Sequence, residues 1–155
     1  MQAGGENPKM IHSEPAEYAA WLKLIFLIPV GLAVGGLVSL YHPDIELSLS
    51  LLGEALFFLL LFYFILPRKF EIYHDKIVIV LGPPLNIGIS YLSIKEVRHS
   101  SGAKAYFFGG VRFATSTRYV IEIIRSRGLD YVISPKNGDV FLEQLNQAIS
   151  TFRSM

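Results

Sequence analysis

Glu54 is the one charged residue in a run of otherwise apolar, small and hydroxyl-bearing side chains, residues 47–66. A carboxyl held deep in an apolar helix is costly. Such a group is by default a candidate for function, bridging helices through hydrogen bonds or carrying a proton or ion. No basic residue stands at the same depth, since Lys23 belongs to the far end of the preceding apolar run, while Ser48 and Ser50 offer hydroxyls close by. A structural, interhelix role is therefore expected for Glu54 ahead of proton or ion handling. Its antiparallel neighbours are expected around Gly35 and Gly36, where glycine leaves backbone carbonyls accessible.

Other reactive side chains do not assemble into a motif. His12, His42, His74 and His99 have no metal-ligand spacing. The chain has no His-Glu-x-x-His, no phosphate-cradling glycine loop ending in Lys-Ser/Thr and no Gly-x-Ser-x-Gly nucleophile turn. Asp75, Glu96, Glu122, Asp130 and Glu143 are dispersed. The absence of cysteine excludes disulfides, thiolate metal sites and cysteine nucleophiles. The expectation is a protein that is not an enzyme, with no catalytic residue, cofactor or metal.

Binding chemistry is better represented. From Arg68 onward the chain carries 12 Lys+Arg against 7 Asp+Glu, a balance of +5, and the part before it has −4. Arg68, Lys69 and Lys76 are candidates for contact with anionic headgroups, at roughly 1 kcal/mol per well-placed basic residue. Arg125 and Arg127 flank one turn and are candidates for the same role. Tyr106, Phe107 and Phe108, beside Gly109-Gly110, either form an exposed aromatic wedge for lipid or a partner, or fill a core. Nucleic acid is not expected as a partner, because stacking aromatics interleaved with strong positive charge are absent.

The elements that must position these groups start with two apolar runs, residues 24–40 and 47–66, split by His42-Pro43-Asp44-Ile45-Glu46. Each is close to the roughly 20 residues that cross a hydrocarbon core of ~30 Å, and in lipid only a helix satisfies the backbone. A five-residue linker makes them a transmembrane helical hairpin, residues 21–66. Hydrophobic content of 52% with mean hydropathy +0.42 fits an integral membrane protein. Lys9 and Lys23 flank the first run and Arg68-Lys69 follow the second, while the linker holds only Asp44 and Glu46. The positive-inside rule then puts both termini in the cytoplasm, as a multi-pass protein of the inner (cytoplasmic) membrane, with Trp21, Tyr41 and Tyr63 near the interfaces. Glu6, Glu14 and Glu17 ahead of the first run argue against a cleaved signal peptide. Gly31 and Gly35 lie one turn apart, with Gly36 adjacent, and let another helix come close. That helix is the second span, a second copy or a foreign helix. Pro29 is expected to kink the first span.

Residues 1–20 read as a flexible cytoplasmic tail, since residues 1–17 are polar and without periodic apolar pattern. Residues 67–155 read as one small domain. Extended stretches recur at 69–73, 76–81, 86–92, 94–99, 105–113, 118–125 and 129–134, about seven strands punctuated by turn residues. Phe141, Leu145, Ala148/Ile149 and Phe152 then give one apolar face of a closing helix, with Asn137 as its cap and Asp139 in its first turn. Seven short strands followed by one such helix imply a small barrel or β-sandwich, so the fold class is an α+β membrane protein.

Five pieces in this order resemble the bacterial pleckstrin-homology-like family: Arg68-Lys69-Phe70-Glu71-Ile72-Tyr73-His74-Asp75-Lys76-Ile77, Ile94-Lys95-Glu96-Val97, Gly109-Gly110-Val111-Arg112-Phe113, Tyr119-Val120-Ile121-Glu122-Ile123, and Ser134-Pro135-Lys136-Asn137-Gly138-Asp139 with Phe141-Leu142. The resemblance implies a partly open β-barrel capped by the C-terminal helix, often anchored by a two-helix hairpin, with no shared catalytic residues. The loop that binds phosphoinositides in eukaryotic relatives is here His74-Asp75-Lys76, short and nearly neutral. The function expected is that of a membrane-anchored, protein-binding module, an accessory or assembly subunit of a larger membrane complex whose partners are membrane lipids and other membrane subunits or itself. The alternative is a module that binds the surface of anionic lipid.

Overall fold

The computed structural model describes residues 9–41, 45–100 and 109–155. The chain divides into two compact units, one of Tyr18–Leu66 and one that joins Met1–Glu17 to Pro67–Met155. The first unit is helical: α1 (Ala20–Ile25), α2 (Leu27–Ser39) and α3 (Ile45–Ile65). Taken through the short break at Phe26, Ala20–Ser39 is an apolar helix of 20 residues, and α3 has 21. Both are long and apolar enough to cross a membrane, and in each only 11% of the most apolar stretch is buried within the molecule. The break has a local cause. Pro29 has no N–H to offer the carbonyl of Ile25, four residues back, and its ring crowds that carbonyl. α1 ends at Ile25.

The glycines of α2 divide by what they meet. A Cβ on Gly36 would stand 2.8 Å from Leu52 Cγ and 3.2 Å from the Ser48 carbonyl oxygen, so α3 approaches at a distance only glycine permits. A Cβ on Gly35 would be in ordinary contact with Leu51 (3.6 Å), and one on Gly31 would have nothing within 4 Å. Ser48 and Ala55 are buried one above the other on α3, and Phe26 meets Phe62 edge-on at 5.3 Å. The Ser39 hydroxyl donates back to the Gly35 carbonyl (2.9 Å).

The second unit is built on two sheets. The first runs β1 (Met10–Pro15), β2 (Lys69–Tyr73), β3 (Lys76–Val80), β4 (Asn86–Ser90), antiparallel and in chain order. Phe70, Ile72, Ile77 and Ile79 are fully buried on its inner face. A 3-10 turn at Tyr91–Ser93 carries the chain into the second sheet. That sheet comprises β5 (Ile94–Ser100), β6 (Val111–Phe113), β7 (Val120–Arg125) and β8 (Tyr131–Ile133), ordered β5-β7-β8-β6 with β6 parallel to β8. The last element, α4 (Gly138–Ser154), buries Phe141, Leu145, Ala148 and Ile149, the face its spacing predicts.

Two expectations are corrected. The segment before the first helix is not a flexible tail throughout, because residues 10–15 form β1. Pro15 pairs with Lys69 and Glu14 with Phe70, and the Ala16 N–H donates to the Arg68 carbonyl at 3.0 Å. β1 carries an inverted pattern: His12 and Glu14 lie opposite Ile72 and Phe70, hence on the inner face, while Met10 and Ile11 are exposed. A search for apolar alternation passes over such a strand. The described residues therefore hold eight strands rather than seven.

The sheets also do not close into a barrel. They join at one corner, where Ala16 bridges Pro135, the Glu17 N–H donates to the Ser134 carbonyl (2.9 Å) and the Lys136 N–H to the Pro15 carbonyl (3.0 Å). The turn at Tyr91–Ser93 takes the chain from β4 to β5 without pairing the two strands, and the result is two open sheets.

α4 is tied at both ends. Near its C-terminus Arg153 Nη2 donates to the Ile94 carbonyl of β5 (2.6 Å). At its N-terminus Asn137 does not cap with its own side chain. Instead the Asn137 backbone N–H donates to Glu14 Oε1 (3.0 Å), and its Nδ2 donates to the same oxygen. A carboxylate from β1 thus sits at the positive end of the helix dipole. At 6% exposure it has little access to water to replace those bonds.

Glu14→Ala should therefore lower the unfolding free energy by about 1 kcal/mol, the cost of losing an N-terminal helix cap whose donors, on the exposed Asn137, can turn to water; chemical denaturation of the full chain in detergent measures it. A chain with residues 18–66 replaced by a short turn should melt cooperatively, because β1 and β2 are antiparallel neighbours. The fragment 67–155, which lacks β1, should melt at lower temperature or without a cooperative transition; equal melting of the two would refute the role of β1.

Candidate functional site

Within the helical unit the expected packing residues part company. Gly36 stands closest to α3, a Cβ on Gly35 would just reach it and one on Gly31 would not. Glu54 does not face Gly35 and Gly36; Leu51, Leu52 and Ser48 do. The physical reason is helical rotation. Ala55 is buried at 3% exposure, and one residue along the helix turns about 100°. Glu54 is consequently exposed, together with Glu46 and Ser50, one ridge of residues at intervals of four. Beside it a Cβ on Gly53 would have nothing within 4 Å. Among the described residues no hydrogen bond or ion pair reaches Glu54. Were α3 to cross a membrane, an acid at its centre would cost roughly 3 kcal/mol on an insertion scale, and an unmatched one on an outward face would call for a partner.

The basic candidates do not form one patch. Lys69 and Lys76 belong to the first sheet, Arg125 to the second, and Arg127 to the turn after β7. Lys69 Nζ lies 2.6 Å from Glu71 Oε1, the Tyr73 hydroxyl donates to Glu71 Oε2 (2.9 Å), and Lys76 Nζ sits 5.9 Å from the Tyr73 ring centroid. Residues 69, 71 and 73 alternate onto one face of β2, which makes this a chain of contacts along the strand. Arg68 lies at the start of the strand, its N–H donating to the Val80 carbonyl (2.8 Å).

Arg125 and Arg127 flank their turn as expected, with different fates. Gly128 takes φ +90°, a conformation glycine adopts freely, and Arg125 folds back over it. The Arg125 guanidinium stands 5.7 Å from the Tyr131 ring centroid, and the Arg125 N–H donates to Asp130 Oδ1 (2.7 Å). Arg127 is exposed. Tyr106, Phe107 and Phe108 lie outside the described residues.

The residues that sequence reasoning missed are polar, and all but Arg98 are buried. Ser134 Oγ accepts from the Thr115 N–H (2.8 Å) and the Ser116 N–H (3.1 Å), and the Thr115 hydroxyl donates to the Glu17 carbonyl at the corner between the sheets. On the second sheet Arg98 Nε donates to Glu122 Oε2 across β5 and β7 (3.1 Å). The strand register, which no spacing reveals, brings these together.

A surface cavity of about 270 Å³ opens between Ile11, His74 and the C-terminal half of α4. Gln144, Gln147, Thr151 and His74 offer hydrogen bonds there and Phe152 an apolar wall. Among the described residues no Lys or Arg lines it, and none of the residues that do supplies the fixed cation a phosphorylated ligand requires. Among the described residues no group of three or more His, Asp or Glu is placed to hold a metal ion.

Three titrating groups are displaced by their surroundings, and the first of them, Glu71, through its hydrogen bond also pushes the Tyr73 phenol up. Burial pushes the Glu71 carboxyl up, but hydrogen bonds from Lys69 and Tyr73 outweigh it, and the carboxyl lies below its ordinary 4.5. Burial pushes the Tyr91 phenol up, with Asp75 adding to the effect, while its hydroxyl donates to the Tyr73 carbonyl (2.7 Å).

A carboxylate with a depressed folded value contributes stability that is present above its unfolded value and is lost as pH falls through the folded one. Melting temperature should therefore drop on acidification below about pH 4.5, and Glu71→Gln should remove part of that slope, a small effect because Lys69 is half exposed. An unchanged slope would show that the Lys69–Glu71–Tyr73 chain does not contribute. No family model matches this chain, and neither a curated protein nor a solved structure matches it significantly.

Proposed function

We propose that this chain is a membrane-anchored, pleckstrin-homology-like protein-binding module without enzymatic activity, acting as an accessory or assembly subunit of a larger membrane complex. The observation that carries the reading is the insertion of an outward-facing apolar helix pair, Ala20–Ser39 and Ile45–Ile65, into the connection between the neighbouring strands β1 and β2. Both ends of the pair lead into one sheet, which agrees with the placement of Lys9, Lys23, Arg68 and Lys69 on one side of the spans and Asp44 and Glu46 on the other. The module then lies at the cytoplasmic face of the inner membrane as part of a multi-pass protein. Two four-stranded sheets with a C-terminal helix are compatible with the pleckstrin-homology-like resemblance.

Lipid recognition by the basic residues is the weaker reading. Glu71 holds Lys69, Arg125 lies folded on Tyr131, and the four side chains Lys69, Lys76, Arg125 and Arg127 are split between two sheets and a turn. Gentle detergent extraction from native membranes, followed by sizing and mass spectrometry, tests the proposal. Co-migration with a larger membrane protein at fixed stoichiometry is expected. Migration alone or as a small homo-oligomer would overturn the subunit reading, and binding of anionic vesicles by the chain would then explain the basic residues.

A further inference from the structure

The exposed ridge of α3 is the feature that the fold does not use. Glu46, Ser50 and Glu54 follow one another at intervals of four, all exposed, next to the open space at Gly53. Glu54 is the tenth of the 21 residues of α3, about 13 Å from its start at 1.5 Å per residue. A carboxyl at mid-span that faces outward would meet hydrocarbon unless another polar group covers it. Among the described residues no hydrogen bond or ion pair covers it, and within Ala20–Ser39 the only charged residue is Lys23, the fourth position of that helix, at the end away from the connecting loop. A second copy of the chain has the same inventory and would bring carboxyl to carboxyl.

We propose that this ridge docks a membrane-spanning helix of a different protein, one that carries a lysine or arginine at the depth of Glu54. The inference rests on the membrane-anchored reading above and names the chemistry of its partner. Three properties favour that occupant. Charge complementarity is satisfied only by a basic group, since the carboxyl is otherwise uncompensated. Gly53 lets the incoming backbone come close, as small residues do between membrane helices. The face is separate from the one already used against α2, which runs through Ser48 and Ala55.

Site-specific photo-crosslinking of the full chain in its native membranes tests this. A photoreactive amino acid is placed at Leu47 or Phe57, which flank Glu54 on the ridge side, and at Leu49 or Leu56, which helical rotation puts on the far side. Adducts to one membrane protein are expected from Leu47 and Phe57 and not from Leu49 or Leu56. The crosslinked peptide should be an apolar span containing Lys or Arg. Glu54→Leu should lower the yield at least tenfold, while Glu54→Gln, which keeps a hydrogen-bonding amide, should lower it less. Resistance of Glu54→Leu to alkaline carbonate extraction would show that the variant still inserts. Lipid adducts alone, an adduct to a second copy, equal yields from both sides, or a partner span without a basic residue would overturn the proposal while leaving membrane anchoring intact. Removal of the unaltered chain by carbonate would overturn both.

Discussion

The pairing of β1 with β2 is the constraint on which the remaining architecture depends. Antiparallel neighbours are ordinarily joined by a short turn; here the connection is two apolar helices. The main-chain bond from Ala16 to Arg68, with Pro15 opposite Lys69, brings both ends of the insertion to adjacent positions on one sheet. Closing a loop of this length costs entropy, but the cost grows only slowly with length, and the helix pair is itself ordered through the close approach at Gly36. The insertion does not need to be short. It needs its two ends to meet, and antiparallel helices provide that.

The same strand organises the folded domain. Glu14 projects inward from β1 and receives the backbone N–H and side-chain amide of Asn137, which joins the first sheet to the start of α4. Arg153 does the corresponding task at the other end, bonding the Ile94 carbonyl of the second sheet. Between these clamps Phe141 contacts Phe70, and Phe152 contacts Tyr91. The helix therefore spans two sheets that, among the described residues, meet by strand pairing at the Ala16–Pro135 corner. Apolar burial supplies the non-directional attraction, and the polar clamps at each end fix the orientation of the helix.

How much of this can be read from the residues follows from which patterns carry the information. The stretches between 69 and 134 declare themselves through alternation and turn residues wherever the structure describes them, the first part of the 105–113 stretch lying outside the described residues, and α4 does so through Phe141, Leu145 and Phe152 at helical spacing. The break at Phe26 is foreshadowed by Pro29. β1 is not legible, because its inward positions hold His12 and Glu14 and its exposed ones Met10 and Ile11. The role of Asn137 is misjudged for the same reason: a cap supplied by Glu14 from over a hundred residues away leaves no local signature. The facing of Glu54 is set by which stripe of α3 meets Gly36, and a helix with apolar side chains on every side does not announce that stripe. The fate of Arg125 depends on the conformation of Gly128, three residues on.

Sidedness tests the central claim, a spanning helix pair inserted into one edge of a domain, most directly. The chain has no cysteine, so Lys9→Cys, Glu46→Cys and Ser154→Cys can each serve as a single reporter at an exposed position. In sealed native vesicles of both orientations, a membrane-impermeant maleimide should reach Lys9→Cys and Ser154→Cys from the same side and Glu46→Cys only from the opposite one. Labelling of all three from one side, or of Lys9→Cys and Ser154→Cys from opposite sides, would contradict the account.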